Sequence, residues 1–157
     1  MHAMSEVLAT SQYVTATNQG VQSDFRKAQC RGWASKIKAT ILNQDNNLLD
    51  VDAITQGKTI RSCYYTGVKS VYIQHIKGSE SRCGDFDQDF NPLKIHNRGR
   101  WISVANARER GIHLPAVELI KIGDAYVVRD GHHRISVAKF RGCDFIDARV
   151  TEWVLED

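Results

Sequence analysis

Long apolar runs are missing from this sequence, and a membrane-spanning helix needs about 20 consecutive apolar residues. Residues 1–20 also lack the charged start and apolar centre of a secretory signal. Their mixture of Ser, Thr, Gln and Ala instead predicts a loose arm. We therefore expect a cytoplasmic protein that has no membrane partner.

Cysteine pairs at metal-binding or redox spacing are missing too. Cys30, Cys63, Cys83 and Cys143 are scattered along the chain, and no CxxC motif occurs. Because nothing indicates secretion, this distribution predicts reduced and mostly buried thiols rather than disulfides.

The sequence also has little excess charge of either sign. A net charge of +3 permits nucleic-acid or phosphate binding. It does not approach the basic load of a dedicated DNA-binding domain.

The composition is that of an ordinary globular domain. The chain has 157 residues, of which 42% are hydrophobic and 25% are charged. A chain of this length can bury a substantial apolar core. One domain is therefore expected.

The N-terminal third is predicted to be helical. In residues 24–42, Phe25, Ala28, Ile37 and Ile41 recur at mostly helical spacing, and Asp24 could cap the helix. The segment LLDVDAITQGK predicts a short second helix that ends at Gly57. Residues 21–67 are accordingly interpreted as an N-terminal helical extension.

Strand and helix patterns alternate from residue 68 onward. The predicted elements are a strand ending at Gly78, a polar loop over 80–100, a helix over 100–111, a hairpin of 117–122 and 126–128, a helix over 132–142 and a last strand over 145–153. This order predicts an α/β (α+β) domain over residues 68–157, with a small mixed sheet.

The stretch DGHHR, residues 130–134, lies where a predicted strand gives way to a helix. Gly131 lets the backbone turn sharply and approach a ligand, and Asp130 could cap the helix. His132, His133 and Arg134 crowd the first helical turn, where cations cost a few tenths to about 1 kcal/mol unless an anion is bound. The pattern therefore predicts a phosphate cradle, with Arg134 giving a forked contact.

Two other interpretations of the same turn remain open. The basic cluster could simply be solvated, or one histidine could be buried and hydrogen bonded to a backbone carbonyl. A metal site is less favoured, because adjacent helical residues point about 100° apart and cannot easily share one ion.

Four segments together resemble the ParB/sulfiredoxin superfamily, in order and in spacing. They are VYIQHIKGSESRCGDFDQDF, RWISVANARERGIHLPAVEL, AYVVRDGHHRISVAKFRG and DARVTEW. The resemblance covers roughly half of the chain, from about residue 70 to 153, and implies a ParB/sulfiredoxin-like fold. The DGHHR turn is nearest in motif to the free-serine kinases of the superfamily.

The resemblance implies nucleotide binding. This turn is GERR in partition proteins, where it holds CTP, and GCHR in sulfiredoxin, where ATP is used with a catalytic cysteine. By position, Gly131, His133 and Arg134 match phosphate-binding residues. His132 replaces the sulfiredoxin cysteine, which argues against sulfinic acid repair, and His133 replaces the second arginine of GERR, which argues against a strict partition protein.

The loop after the first strand supplies the other candidates. Arg82 matches an arginine of partition proteins that could reach a phosphate or order the loop. Phosphoryl transfer needs carboxylates to hold Mg²⁺ and to orient the acceptor, although each acid here could equally be a loop cap or surface charge. The predicted catalytic residues are Glu80, Asp85, Asp87 and His132. The predicted cofactor-binding residues are Arg82, Asp130, Gly131, His132, His133 and Arg134.

Phe86 and Phe90 alternate with the acids of this loop in the phrase GDFDQDF. We expect these two rings to anchor the loop on the core rather than to stack on a base.

Two hypotheses for function follow, and either is compatible with a homodimer. The first is an ATP- or ADP-dependent kinase or slow NTPase that uses Mg²⁺ and a small-molecule or protein acceptor, with CTP as an alternative nucleotide. The second is a nucleotide-gated module that binds DNA or a protein. Its support is the arginines of the helix over 98–110, which are Arg98, Arg100, Arg108 and Arg110. A nuclease ranks third, because the sequence lacks a convincing metal cluster.

Overall fold

The structure is a computed structural model that describes the backbone of residues 2–156, and the side chains of residue 15 and residues 17–156. It confirms the α/β (α+β) class. The helices are α1 (His2–Ile41), α2 (Val51–Thr55), α3 (Arg98–Glu109) and α4 (His132–Phe140). The strands are β1 (Leu49–Asp50), β2 (Ile60–Tyr72), β3 (Ile76–Ser79), β4 (Val117–Ile122), β5 (Ala125–Asp130) and β6 (Phe145–Leu155).

The described strands form one mixed sheet in the order β1-β3-β5-β4-β6-β2. Strands β4 and β5 form the predicted antiparallel hairpin, and β2 pairs antiparallel with β6. Strand β3 is parallel to its neighbour β5, with Ser79 opposite Val128. Because parallel strands end at the same edge of a sheet, the polar loop after β3 and the DGHHR turn after β5 meet there.

Helix α4 packs on this sheet through its apolar face. Ile135 and Ala138 lie in one buried cluster with Leu119 and Val128 of the hairpin. On its other side, α4 contributes Val137 to a second cluster, which it shares with α1 and α3. Burial on both sides holds the first turn of α4 against the sheet edge.

Helices α1 and α3 are joined mainly by aromatic packing. The rings of Phe25 and Trp101 meet edge to face with centroids 5.7 Å apart, and both residues are fully buried. The Trp101 indole N–H donates to Ser136 Oγ of α4 at 2.9 Å. This satisfied buried donor ties α3 to α4.

Helix α1 is longer than the sequence pattern predicts. It begins at His2, so Asp24 lies inside the helix and does not cap it. The Asp24 carboxylate instead pairs with Lys27 at 3.5 Å and with Arg141 at 3.2 Å. The backbone of residues 2–20, predicted as a loose arm, belongs to this helix, and the side chains of residues 1–14 and 16 lie outside the described part.

The segment over 21–67 is not wholly helical. It contains β1, and β2 begins at Ile60, where it pairs with Leu155. Strand β2 is the last in the sheet order, and most of its side chains are exposed. An edge strand that is exposed on both faces has no apolar alternation, which is why the sequence pattern did not reveal it.

All four cysteines are free, as predicted. Their predicted burial is wrong, because Cys30 and Cys63 are exposed and Cys83 and Cys143 are only half-buried. Among the described residues, no helix combines the length and apolar character that a membrane span would require.

Candidate functional site

The DGHHR turn is built on a glycine that no other residue can replace without strain. Gly131 has a φ of +105°, and a Cβ at this position would lie 2.5 Å from Cγ1 of Val117. Both the left-handed backbone and the contact with β4 exclude a side chain. The turn therefore brings the backbone close to the neighbouring strand before α4 begins.

The start of α4 has no side-chain cap. Gly131 occupies the N-cap position, and the Asp130 carboxylate, predicted to cap the helix, pairs with the guanidinium of Arg134 instead. The N-terminal end of α4 therefore retains its partial positive charge.

A cleft of about 840 Å³ opens at this edge of the sheet. Its lining includes four arginines and three histidines, which are Arg82, Arg100, Arg129, Arg134, His96, His132 and His133. Asp130 is the single carboxylate in the described lining, and Val104, Leu114 and Pro115 form an apolar wall. The composition of the cleft favours an anionic ligand that carries an apolar part.

Two of the four arginines are already engaged. Arg134 donates from Nη1 to the carbonyls of Pro115 at 2.7 Å and Ala116 at 3.1 Å, in addition to its pair with Asp130. Arg129 pairs with the carboxylate of Glu80 through Nε at 3.1 Å and Nη2 at 3.3 Å. Arg134 thus secures the chain entering β4, and its predicted forked phosphate contact would compete with these bonds.

Arg82 and Arg100 are better placed to meet an anion. Arg82 makes only a 3.6 Å ion pair with Asp85, and its side chain is 45% exposed. Arg100 is exposed and has no hydrogen-bond or ion-pair partner in the described part of the chain. The sequence pattern assigned Arg100 to a DNA-binding helix, because no periodicity shows that the start of α3 faces the DGHHR turn.

His132 is held inside the protein by Ser79. The residue is 4% exposed, and its Nε2 lies 2.7 Å from Ser79 Oγ. The same Oγ accepts the backbone N–H of Arg82 at 2.9 Å and, more weakly, that of Ser81 at 3.3 Å. With its lone pairs engaged, the hydroxyl donates its own hydrogen to Nε2, so the His132 proton resides on Nδ1.

The environment of His132 keeps its ring neutral. Burial, followed by the charges of Arg82 and His133, lowers the pKa of His132 to about 4. Phe86 stacks on the imidazole with ring centroids 6.0 Å apart. A buried histidine was one of the open interpretations of the turn, but its partner is a serine hydroxyl rather than a carbonyl.

His133 has the opposite arrangement. Its Nε2 lies 3.2 Å from Oδ1 of the buried Asn97, whose Nδ2 donates to the Asp85 carbonyl at 3.1 Å. The amide is thereby oriented to accept, so the His133 proton resides on Nε2. Burial, then Arg82 and Arg100, lowers the pKa of His133 to about 4, so this ring is neutral as well.

The structure separates the predicted loop carboxylates. Asp85 contacts His96 at 3.1 Å, Lys94 at 3.4 Å and Arg82 at 3.6 Å. Burial alone would raise the pKa of Asp85, but the hydrogen bonds and charges of His96 and Lys94 lower it below its usual value. Asp85 therefore organises the basic residues at the rim of the cleft.

Asp87 does not line the cleft. Its carboxylate is fully buried and accepts the N–H groups of Asp89 at 2.9 Å and Asn91 at 2.8 Å, with the Asn91 side chain at 3.0 Å. Burial raises the pKa of Asp87. This geometry corresponds to the loop-cap alternative. Phe86 and Phe90 are buried, as predicted for rings that anchor the loop.

The carboxylates do not fit a dedicated magnesium site. No group of three His, Cys, Asp or Glu side chains at metal-binding distance occurs in the described part of the chain. Glu80 and Asp130, the two nearest to the turn, are each paired with an arginine. Protein-bound Mg²⁺ often relies on substrate phosphates for several of its ligands.

Comparison with known proteins adds no relative. No model of a known protein family matches this chain, and no curated protein matches it. The resemblance to the ParB/sulfiredoxin superfamily thus rests on the sequence motifs and stays a prediction.

Proposed function

We propose that this chain binds a nucleoside di- or triphosphate in the basic cleft and uses it for phosphoryl transfer to a small-molecule or protein acceptor. The observation that carries the proposal is the meeting of Arg82, Arg100 and His133 with the Gly131 turn in one cleft. Three basic side chains and the positive end of a helix suit several phosphate charges at once.

The dimensions and lining of the cleft support a nucleotide rather than a lone phosphate. A volume of about 840 Å³ falls within the range of small-molecule sites. The wall of Val104, Leu114 and Pro115 offers an apolar surface for a base. The phosphates then lie at the Gly131 turn, and ATP or ADP is the expected nucleotide, with CTP as the alternative.

The residues of the cleft have separate tasks in this proposal. Arg82 and Arg100 neutralise the phosphates, and His132 offers its Nδ1–H at the first turn of α4. Stabilising the charge on a transferred phosphoryl group is the main contribution that a protein makes to this reaction. Asp130 is the single carboxylate in the described lining of the cleft and is therefore the candidate to orient an acceptor.

Calorimetric titration with ATP, ADP and CTP in the presence of Mg²⁺, followed by a phosphate-release assay, tests the proposal. We expect one nucleotide to bind and its terminal phosphate to be released or transferred. Binding without turnover would replace the enzyme by a nucleotide-gated binding module. Absence of binding for all three nucleotides would overturn the proposal.

The DNA-binding alternative has less support from the geometry. Arg98, Arg100, Arg108 and Arg110 are all exposed, but at about 100° per residue they are distributed around α3 rather than along one face. Arg98 and Arg108 also have partners, Gln22 at 3.0 Å and Cys143 Sγ at 2.9 Å.

A further inference from the structure

The two adjacent histidines of the DGHHR turn carry their protons on opposite ring nitrogens. His132 receives the Ser79 hydroxyl hydrogen at Nε2 and keeps its proton on Nδ1. His133 donates from Nε2 to Asn97 Oδ1 and therefore has a lone pair on Nδ1. The Nδ1 of His132 therefore carries a hydrogen, whereas the Nδ1 of His133 must first gain one before it can donate to an anion.

The free nitrogen of His133 is open to the cleft. Nδ1 has no hydrogen-bond partner in the described part of the chain, and it is not among the buried polar atoms that lack one. His133 itself lines the cleft. A phosphate oxygen that reaches this nitrogen meets a lone pair unless the ring is protonated.

The groups around His133 decide when it takes up a proton. Arg82 on the loop after β3 and Arg100 on α3 oppose a positive ring, as do burial and His96 of the segment before α3. Asp85 favours a positive ring but is itself paired with His96 and Lys94. The neighbouring His132 is neutral, and Phe86 and Asn97 bear no charge.

We propose that binding of a nucleotide phosphate is coupled to uptake of one proton at Nδ1 of His133, and that His132 takes no part in this uptake. The inference rests on the proposed nucleotide binding and specifies how that site responds to pH. The step is a proton transfer: a hydronium ion or buffer acid releases a proton and keeps the electron pair, the Nδ1 lone pair forms an N–H bond, and this N–H donates to a phosphate oxygen.

The physical reason is that a bound phosphate reverses the sign of the local field. Its charges offset Arg82 and Arg100, which otherwise oppose protonation, and a charge-assisted hydrogen bond favours the imidazolium. Between the pKa of the free His133 ring, about 4, and its higher pKa in the complex, affinity should fall by up to tenfold per pH unit, because each binding event takes up one proton. Above the pKa in the complex this dependence vanishes.

Calorimetric titration with ATP at pH 6.5, in several buffers of different ionisation enthalpy, counts the protons taken up on binding. We compare wild type with His133→Gln, whose amide nitrogen can still donate to Asn97. The control is His113→Gln, which removes an exposed histidine outside the described lining of the cleft. Protons that ATP itself takes up or releases on binding are counted equally for each variant, so they cancel in the comparison.

Wild type and His113→Gln are expected to take up about one proton more than His133→Gln. Equal proton numbers for wild type and His133→Gln would overturn this inference and leave nucleotide binding intact. Absence of ATP binding by wild type would overturn the proposed function and this inference together.

A second measurement does not depend on the folding of a variant. Ring ¹⁵N chemical shifts of wild type at pH 6.5 should show His133 as a neutral Nε2–H tautomer without ATP and as imidazolium with ATP. His132 should remain a neutral Nδ1–H tautomer in both spectra. An unchanged His133 signal in the ATP complex would contradict the inference.

Discussion

The hydroxyl of Ser79 lies 2.7 Å from Nε2 of His132 and so connects the end of β3 to the first turn of α4. Both residues are buried, and the same hydroxyl oxygen accepts the backbone N–H of Arg82. One side chain therefore fixes a histidine tautomer and the direction of the loop that carries Arg82. The cleft depends on this contact.

Replacing Ser79 by Ala should lower the free energy of unfolding by about 1–3 kcal/mol, because buried groups on two elements lose their partner. Urea unfolding measures the change. Ser81→Ala is the matched control, since Ser81 is exposed and only its backbone contacts Ser79. Similar unfolding curves for the two variants would contradict the role given to Ser79.

Gly131→Ala should destabilise the protein by roughly 2 kcal/mol or more, because strain at a positive φ adds to a clash with Val117. Gly123→Ala is the control: its φ is +58°, but no atom lies within 4 Å of the added Cβ. Gly123→Ala should lower the free energy of unfolding by less, about 1 kcal/mol. Val117→Ala combined with Gly131→Ala should recover only part of the steric loss, because the Cβ of residue 117, which lies 2.7 Å from the added Cβ, remains. A loss no larger at Gly131 than at Gly123 would refute the account of the turn.

The free energy of unfolding should fall as the pH drops from about 6.5 to 4. The pKa values of His132 and His133 are lowered to about 4, so in this window the unfolded chain binds protons that the folded chain does not. Above pH 6.5 this loss of free energy of unfolding vanishes. At low pH the part of the loss due to His132 reaches at most about 3 kcal/mol. Urea unfolding at several pH values measures the change. The free energy of unfolding should decline less steeply with falling pH for His133→Gln than for wild type, and parallel declines would rule out a lowered pKa for His133.

Arg134→Ala should lower stability by about 1–3 kcal/mol, because the carbonyls of Pro115 and Ala116 lose their donor. Arg100→Ala should leave stability nearly unchanged, since Arg100 has no hydrogen-bond or ion-pair partner in the described part of the chain. Thermal unfolding of the two variants checks this contrast. Equal losses of stability would contradict the assignment of a structural role to Arg134 and a ligand-binding role to Arg100.

The sequence predicts the elements that build the site better than the partners inside it. The hairpin and the helix after DGHHR follow from apolar spacing and from Gly123, Gly131 and Gly142, which interrupt that spacing. Most of strand β2 was missed, because an edge strand with few buried side chains has no period for the pattern to show. The single strand predicted to end at Gly78 is in fact the end of β2, a 3-10 turn over Ile73–His75, and β3.

Spacing along the chain also cannot tell which polar groups meet across the sheet. Ser79 and His132 are 53 residues apart, and they meet because β3 and β5 are parallel neighbours. Arg100 joins Arg82 in the cleft because α3 packs beside α4, and Asp87 turns inward to cap its own loop. Such pairings depend on strand order, which a single sequence does not reveal.

The measurement that tests the central claim most directly is the affinity of ATP for wild type, Arg100→Ala and Arg110→Ala, determined by calorimetry under one set of conditions. Both variants remove one exposed arginine of the α3 region, so they change the net charge equally. A phosphate held in the cleft predicts that Arg100→Ala weakens binding at least about tenfold, whereas Arg110→Ala changes it little. Equal effects of the two variants, or no ATP binding by wild type, would contradict the assignment of the cleft as a nucleotide site.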